Sequence, residues 1–175
     1  SDATLEVIQI KGEMRAVRTA FNVKCLIQSV RGYLCEVGRE FTNNGEFVER
    51  FSPWGLSETR KRKEESPEAV IRGFSQEFGV WVDDKELVYA KDPDEHCLRE
   101  SSVYWRVLSF VCSQYFHFRR EKPIYGEHPF KDEGAWIHVR WLQLPDMTAE
   151  QQVAWAMAYA TCFHAPVWGK RAPPL

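Results

Sequence analysis

The chain has 175 residues and a formal net charge of −2, with 44% hydrophobic and 27% charged residues. This size fits one domain that can bury a core without disulfides or metals, and the composition excludes a largely disordered chain. The near-neutral charge excludes the overall basic field that drives non-specific nucleic-acid binding.

Apolar runs and cysteine spacing indicate where the protein is located and whether its cysteines are paired. No apolar run approaches the roughly 20 residues of a membrane span, and no signal peptide is visible at the start. We therefore expect no membrane partner and an intracellular, cytoplasmic location. The five cysteines are widely spaced and form no CxxC pair. They predict buried free thiols and indicate neither a zinc site nor a disulfide framework.

The first 63 residues have mainly the pattern of strands and turns. Residues 17–37 predict a hairpin, because two runs of β-branched and aromatic residues flank the polar segment 28–32. Asn-Gly within 42–45 predicts a second turn, and residues 47–51 predict a short strand. Residues 53–63 are expected to form a charged loop.

Residues 66–78 have the pattern of an amphipathic helix of about three and a half turns. Ser66 suits the N-cap, Pro67 suits the first helical position, and Gly79 suits the C-terminal cap. The apolar residues that share one predicted helical face are Ala69, Val70, Phe74 and Phe78.

Strands and loops are predicted after this helix. Residues 80–82 and 86–90 are short strand candidates, and the charged residues 91–100 are expected to form a loop. Residues 103–119 predict a long strand, because they hold many β-formers and no Pro or Gly. Its aromatic residues, Tyr104, Trp105, Tyr115, Phe116 and Phe118, are expected mainly in the core.

The last predicted elements are a strand and a helix. A polar loop at 121–134 precedes a strand at 136–141, in which polar and apolar residues alternate. Thr148 and Gln151 predict a capping box for a helix at 149–163.

These elements predict a mixed α/β fold with a sheet between helices. We expect a single domain over 1–175, with a core at about 15–163 and an irregular, proline-containing tail at 165–175.

Residues 72–80 resemble the Nudix box of the Nudix hydrolase superfamily, which ends in Arg-Glu-apolar-x-Glu-Glu-x-Gly-apolar. The matching residues are Arg72, Phe74, Glu77, Gly79 and Val80. Residues 54–56 resemble the Trp-x-Leu strand end of that family, and residues 138–146 resemble its last core strand. The resemblance implies a Nudix-type α/β/α sandwich with a mixed central sheet.

The chain departs from the family where the metal-binding glutamates belong. Gly73 and Gln76 replace two of these residues, and Glu77 alone is retained. The resemblance implies that Glu77 and the upstream Glu64 are metal ligands, with Glu65 in place of Glu64 if the loop is one residue shorter. The implied cofactor is magnesium or manganese in an active enzyme, or none.

The family pattern also assigns catalytic roles. Glu77 and Arg72 are the candidate catalytic residues, and Arg72 orients Glu77 or forms a purely structural ion pair. Glu77 is either a residual metal ligand or an exposed helix residue. For Gly73 we favour simple loss of the carboxylate over close packing at that position.

Charged residues outside the box are further candidates for binding phosphate or a metal ion. The segment Arg60, Lys61, Arg62 and Lys63 is either a solvated loop or a substrate-binding loop that contacts phosphate. The family's Pro-Gly-Gly turn reads Ser57-Glu58-Thr59 here, so its glycines are absent. The carboxylates that loops could add are Glu64, Glu65, Glu127, Asp132 and Glu133. His117 and His138 are expected to be structural residues on strands.

Three functions remain open on sequence. The leading hypothesis is a Nudix-fold protein with impaired or absent pyrophosphohydrolase activity, which binds a nucleotide or other phosphorylated ligand, an RNA or a protein partner. The alternative is an active, metal-dependent hydrolase of nucleoside diphosphate derivatives. The third is an interaction module of a larger complex, suggested by the tryptophan content and by Phe163 and Trp168.

Overall fold

The structure, a computed structural model, describes residues 4–89, 95–100 and 106–163. Along this part of the chain, five strands precede the first α-helix and five more precede the second. The elements are β1 (Thr4–Ile10), β2 (Glu13–Ser29), β3 (Gly32–Phe41), β4 (Phe47–Ser52), β5 (Leu56–Thr59), α1 (Ser66–Gly73), β6 (Leu87–Tyr89), β7 (Glu95–Glu100), β8 (Val107–Arg119), β9 (Phe130–Asp132), β10 (Ala135–Leu142) and α2 (Ala149–Phe163). A π-helical turn, Phe74–Phe78, continues α1.

The strands form one mixed sheet. Its main path runs β6-β8-β2-β3-β10-β9, with β2 and β8 parallel and the other neighbours antiparallel. β2 and β3 pair only at Gln28↔Tyr33 and Ser29↔Gly32, so they diverge beyond their shared turn. β5 extends the sheet from β2 and β4 extends it from β3, which leaves a cleft between the two halves.

The two helices lie on opposite faces of the sheet. Successive side chains of a strand point to opposite faces, and the core clusters follow this alternation. Cys25 and Ile27 pack in one cluster with Val70 of α1, whereas Leu26 packs in another with Ala158 of α2. The predicted α/β/α sandwich with a mixed central sheet is therefore confirmed.

The helix at the C-terminal end begins and ends where the sequence predicts, at 149–163. Its capping box is present, because the N–H of Thr148 donates to Gln151 Oε1 at 3.0 Å and the N–H of Gln151 donates to Thr148 Oγ1 at 3.2 Å. Trp155 packs edge-on against Tyr33 of β3, with ring centroids 5.2 Å apart. The helix is thus held against the sheet by aromatic contact as well as by apolar burial.

The loop prediction for 53–63 is wrong, because β5 pairs with residues 22–25 of β2. This strand has no apolar pattern in the sequence, because Ser57, Glu58 and Thr59 are polar and only Leu56 of the four residues is buried. The 80–82 strand prediction is also wrong. The N–H of Val80 bonds to the carbonyl of Phe74 and closes the π turn, so this segment joins no ladder.

Two charged segments that were expected to be loops contain strands. β7 occupies 95–100 and pairs with β8, and the short β9 lies within the predicted loop 121–134. The sequence also gave no signal for β1, which pairs with the first half of β2. Predictions for 90, 91–94, 103–105, 165–175 and Trp168 lie outside the described residues.

Four of the cysteines, Cys25, Cys35, Cys112 and Cys162, are buried free thiols, as predicted. Among the described residues, no helix has the length and apolar character needed to cross a membrane.

Candidate functional site

The helical segment that carries the candidate site spans 66–78, as predicted, but its N-cap is one residue earlier. Glu65, and not Ser66, is the N-cap of α1, and it forms a reciprocal capping box with Glu68. The N–H of Glu65 donates to Glu68 Oε2 at 2.8 Å. A carboxylate that accepts N–H groups at a helix start is also favoured by the helix dipole, so Glu65 outcompetes the serine.

A π turn ends this helical segment and carries Glu77. Gly79 adopts φ +67° and its N–H bonds to the carbonyl of Ser75, so the chain leaves the helix there, as predicted. π-helical turns within helices are frequent at functional sites, because the extra residue re-aims the side chains around it. Glu77 is directed toward the cleft by this turn and lines it.

Arg72 holds the loop and the helix together. Its Nε lies 2.8 Å from Glu64 Oε1, its Nη1 lies 2.9 Å from Glu58 Oε2, and its Nη2 donates to the Thr59 carbonyl at 2.9 Å. Gln76 Oε1 also accepts from Arg72 Nη1 at 3.0 Å. Arg72 thus contacts two carboxylates at once, and Glu77 is not among its hydrogen-bond partners.

Glu64 is the upstream glutamate that reaches Arg72, whereas Glu65 caps α1. Partial burial acts to raise the pKa of Glu64, but hydrogen bonds from Arg72 and from the Lys61 N–H outweigh it and lower the pKa. The Glu64 carboxylate is therefore ionised and already bound to a cation of the protein. This arrangement makes it an anchor for Arg72.

Glu77 lies in an environment that favours its neutral form. Burial raises its pKa to about 9, with further contributions from a side-chain hydrogen bond with Glu58 and from the negative charges of Glu58, Asp132 and Glu36. Its Oε2 is buried and has no hydrogen-bond partner within the described part of the chain. Burial and the neighbouring negative charges thus both disfavour the charged form of Glu77.

The Glu58 side chain occupies the space that a side chain at position 73 would need. A Cβ added to Gly73 would lie 2.8 Å from Glu58 Cγ and 2.9 Å from both Leu56 methyl carbons. Gly73 is therefore closely packed, which is the explanation the sequence analysis did not favour. The Glu58 side chain of β5 therefore fills the space beside Gly73.

The cleft beside Glu77 has a volume of about 80 Å³ and lies where the sheet divides. Its basic residues come from three strands, and its acidic residues come from β3, β9 and the π turn. The charged lining residues are Lys24, Arg39, Arg50, Glu36, Asp132 and Glu77. Arg39 Nε lies 2.6 Å from Glu36 Oε1 and Arg50 Nε lies 3.7 Å from it. Opposite charges thus alternate around a small, partly enclosed space.

Lys24, Arg39 and Arg50 were not predicted from the sequence. These residues are separated along the chain and no local motif links them. They converge because β2 and β3 diverge and β4 returns along β3. Lys24 and Arg50 lie on predicted strands and Arg39 lies just beyond one, and these positions become informative only once the strand pairing is known.

The predicted substrate-binding loop does not reach this cleft. Arg60 stacks on the Phe21 ring, with Cζ 4.8 Å from the ring centroid, and Nη1 donates to Ser66 Oγ at 3.4 Å. Lys61, Arg62 and Lys63 are exposed. None of the four lines the cleft beside Glu77.

The remaining predicted carboxylates fall into two groups. Asp132 lines the cleft, whereas Glu127 accepts the Trp141 N–H at 3.0 Å and pairs with Arg31. Glu133 is exposed and its N–H donates to Asp132 Oδ1. The loops therefore bring one of these three carboxylates to the cleft.

The two histidines lie away from Glu77. His117 is buried and its Nε2 lies 3.0 Å from Gln28 Oε1. Burial, with a smaller effect of Arg119, lowers the pKa of His117 to about 4, so its ring is neutral and donates to the amide oxygen. His138 Nε2 lies 3.4 Å from Glu40 Oε2 on the neighbouring strand. Both contacts are those of structural residues.

The donor set fits a resident magnesium ion poorly. Within the residues that the structure describes, no three His, Cys, Asp or Glu side chains are placed to hold a metal ion. The unpartnered Glu77 Oε2 is a suitable oxygen donor, but Glu77 is neutral and Glu58 is paired with Arg72. Gln76, the other substituted position, is hydrogen-bonded to Arg72.

Comparison with known proteins returns structural likeness only. No protein-family model and no curated protein matches the sequence. Solved structures that resemble the chain include the MutT protein from Methanosarcina mazei Go1, at 15% identity, covering 81% of this chain and 93% of that one, with a TM-score of 0.46. The MutT NUDIX hydrolase from Burkholderia pseudomallei has 11% identity, covers 79% and 96%, and has a TM-score of 0.47. The dihydroneopterin triphosphate pyrophosphohydrolase of E. coli has 12% identity, covers 78% and 92%, and has a TM-score of 0.43.

Proposed function

We propose that this chain is a Nudix-type binding protein whose pyrophosphohydrolase activity is impaired or absent. The observation that carries the proposal is how the carboxylates near Glu77 are held. Glu58 and Glu64 are both ion-paired with Arg72, and burial raises the pKa of Glu77 to about 9, which disfavours its charged form. Carboxylates that are bound to an arginine or disfavoured in the charged form are poor magnesium ligands, so the site is short of the charge that metal-dependent hydrolysis needs.

The shape and charge of the cleft support binding of a phosphate group. A volume of about 80 Å³ is well below the roughly 300–1,000 Å³ of sites that enclose a whole small molecule. It accommodates one phosphate group near Lys24, Arg39 and Arg50, with the rest of the ligand outside. Arg39 already binds both oxygens of Glu36, so a bound phosphate competes with Glu36 for its planar guanidinium.

The cleft does not discriminate between a nucleotide and an RNA, which both present a phosphate group. A protein partner, the third class proposed from the sequence, does so only if it is phosphorylated. The binding of phosphate is therefore the chemistry common to the proposed ligands.

A second candidate function is favoured by a difference from the family pattern. The pattern has glycine at position 58 and glutamate at position 73, whereas this chain has Glu58 and Gly73. If Glu58 replaces the carboxylate lost at Gly73, the chain is an active, metal-dependent hydrolase of nucleoside diphosphate derivatives. The contact between Glu58 Cγ and the site of a Gly73 Cβ supports this candidate, because the two elements place one carboxylate in the same space. The absence of a third donor among the described residues disfavours it.

One calorimetric experiment separates the two candidates. Magnesium and manganese are titrated into the purified chain and into Glu77→Gln, Glu58→Gln and Glu133→Gln variants. The Glu133 variant is the matched control, because it removes one exposed carboxylate outside the cleft. We expect no binding of magnesium at millimolar concentration in any of them. In a separate assay we expect slow or absent hydrolysis of nucleoside diphosphate derivatives, which Glu77→Gln leaves unchanged.

The proposal of impaired activity is contradicted by one combined result. Millimolar or tighter magnesium binding that disappears in both Glu77→Gln and Glu58→Gln, but not in Glu133→Gln, would establish a metal site. Hydrolysis at ordinary enzymatic rates that depends on Glu77 would then establish the second candidate.

A further inference from the structure

A second cavity lies beside the start of α1 and is separate from the Glu77 cleft. Its volume is about 540 Å³, and none of the residues that line it also lines the cleft. β2 and β8 form its floor, because these strands of 17 and 13 residues extend beyond the helix that covers them. Phe21, Arg60, Glu65, Tyr89 and Gln114 are among its lining residues.

Aromatic side chains mark two ends of this cavity. Phe21 on β2 pairs in register with Cys112 of β8, whereas Tyr89 on β6 pairs with Phe116, four positions further along the same strand. Because β8 lies between β2 and β6, the two rings are separated both across the sheet and along it. Tyr89 is half-buried and packs against Phe116, with ring centroids 4.9 Å apart, which fixes its position at the wall.

A guanidinium group stands at the Phe21 end. Arg60 is held over the Phe21 ring and donates Nη1 to Ser66 Oγ, at 3.4 Å. Within the described part of the chain, no carboxylate forms an ion pair with Arg60. An arginine has five N–H donors, so most of its donors remain available to a ligand in the cavity.

Glu65 is the acidic residue of the lining, and its carboxylate has a structural task. It accepts the backbone N–H of Glu68 as the N-cap of α1, which holds it at the helix start. A carboxylate held in this way repels a phosphate placed beside it but accepts hydrogen bonds from hydroxyl groups. The anionic part of a ligand is therefore directed to the Arg60 side.

We infer that this cavity binds a small molecule in which a planar aromatic ring is joined to a phosphate group. The phosphate binds Arg60 and the ring stacks at Tyr89, with the amide of Gln114 along the floor. The volume lies within the roughly 300–1,000 Å³ of small-molecule sites. The inference goes beyond the proposed function, because it places a ligand in a cavity separate from the Glu77 cleft.

Isothermal titration calorimetry in metal-free buffer tests the inference. The probes are adenosine monophosphate and phenyl phosphate, compared with adenosine and with inorganic phosphate. We expect both aromatic phosphates, or the nucleotide alone, to bind at least about tenfold more tightly than either fragment, since ring and phosphate contribute separately. Binding by both probes identifies the aromatic phosphate as the recognised unit, whereas binding by the nucleotide alone identifies a nucleotide site.

The variants locate the ligand. Arg60→Gln and Tyr89→Leu are expected to weaken binding by about tenfold each. Lys61→Gln is the matched control, because it removes a neighbouring positive charge that does not line the cavity, and it should change the affinity by less than about twofold. Glu133→Gln, which removes an exposed carboxylate that lines neither the cavity nor the cleft, should also leave the affinity unchanged. Unaltered thermal melting of each variant verifies that it is folded.

Several outcomes would overturn the inference while leaving the proposed weak hydrolysis intact. These are the absence of binding at millimolar probe, equal affinities for inorganic phosphate and the nucleotide, and equal losses in Arg60→Gln and Lys61→Gln. Loss of binding in Glu77→Gln would place the ligand in the cleft. Because the buffer contains no metal, a magnesium site at Glu58 and Glu77 leaves this measurement unaffected.

Discussion

Gly73 is required for space, since its backbone has ordinary helical angles. In an open helix, Gly→Ala stabilises by about 1 kcal/mol, because alanine restricts the unfolded chain and favours the helix. Here the added methyl group meets Glu58 and Leu56 at less than 3.0 Å. We predict that Gly73→Ala destabilises the protein by about 1–3 kcal/mol, measured by urea denaturation.

The double variant Gly73→Ala with Glu58→Ala shows whether Glu58 is the obstacle. We expect it to recover part of the loss, because Leu56 still contacts the new methyl group. Ser75→Ala is the control for helix propensity, since Ser75 is exposed two positions further on. A stabilising effect of Gly73→Ala alone would refute the close packing.

The family pattern identified the positions of Gly73, Gln76 and Glu77 from their spacing, but it could not identify Glu58. Spacing within one helix predicts which side chains share a face. The approach of Glu58 to Gly73 depends on the pairing of β5 with β2, which brings a different part of the chain under the helix. A contact of this kind has no local signature in the sequence.

The helical segment ends at Gly79 for a conformational reason. Its φ of +67° lies in the left-handed region, and no atom lies within 4 Å of an added Cβ. Space is therefore available, and only the backbone angle disfavours a side chain. We predict that Gly79→Ala costs about 1 kcal/mol and that Gly79→Asn costs less, because asparagine tolerates this region better. Thermal or urea denaturation measures both, and equal losses for the two variants would contradict the prediction.

Elements with local signals were predicted well, and elements that depend on pairing were not. The helix at 149–163 has a capping box in its sequence, and both the box and the helix bounds are present in the structure. β1 and β5 lack such signals, because β1 is exposed along nearly its whole length and β5 is mostly polar. Their strand conformation comes from hydrogen bonds to β2, which no window of their own sequence contains.

At the scale of the whole molecule, the division of the sheet creates the candidate cleft. β2 and β3 share only two residue pairs, and β4 and β5 then occupy the two sides of the opening. Basic and acidic residues from separate strands meet there around Glu77. The fold class followed from the order of the elements, whereas the charge arrangement required the register of the strands.

This charge arrangement predicts how stability changes with pH. The pKa of Glu77 rises from 4.5 to about 9 on folding, so the folded state binds more protons than the unfolded state between these values. Stability therefore falls as the pH rises through this window. His117 acts in the opposite direction on the acid side, because its pKa falls from 6.5 to about 4 and the unfolded state takes up the proton first.

Glu77→Gln isolates the alkaline part of this profile. The amide can keep a hydrogen bond to Glu58 and does not ionise, so we predict that it is more stable than the parent by about 1–3 kcal/mol at pH 8. The difference should nearly disappear at pH 5, where both carboxyl and amide are neutral in the folded state. Urea denaturation at the two pH values measures it. Glu133→Gln serves as the control, because its exposed position predicts no comparable change, and an equal gain for Glu77→Gln at both pH values would show that repacking, and not the titration of Glu77, is responsible.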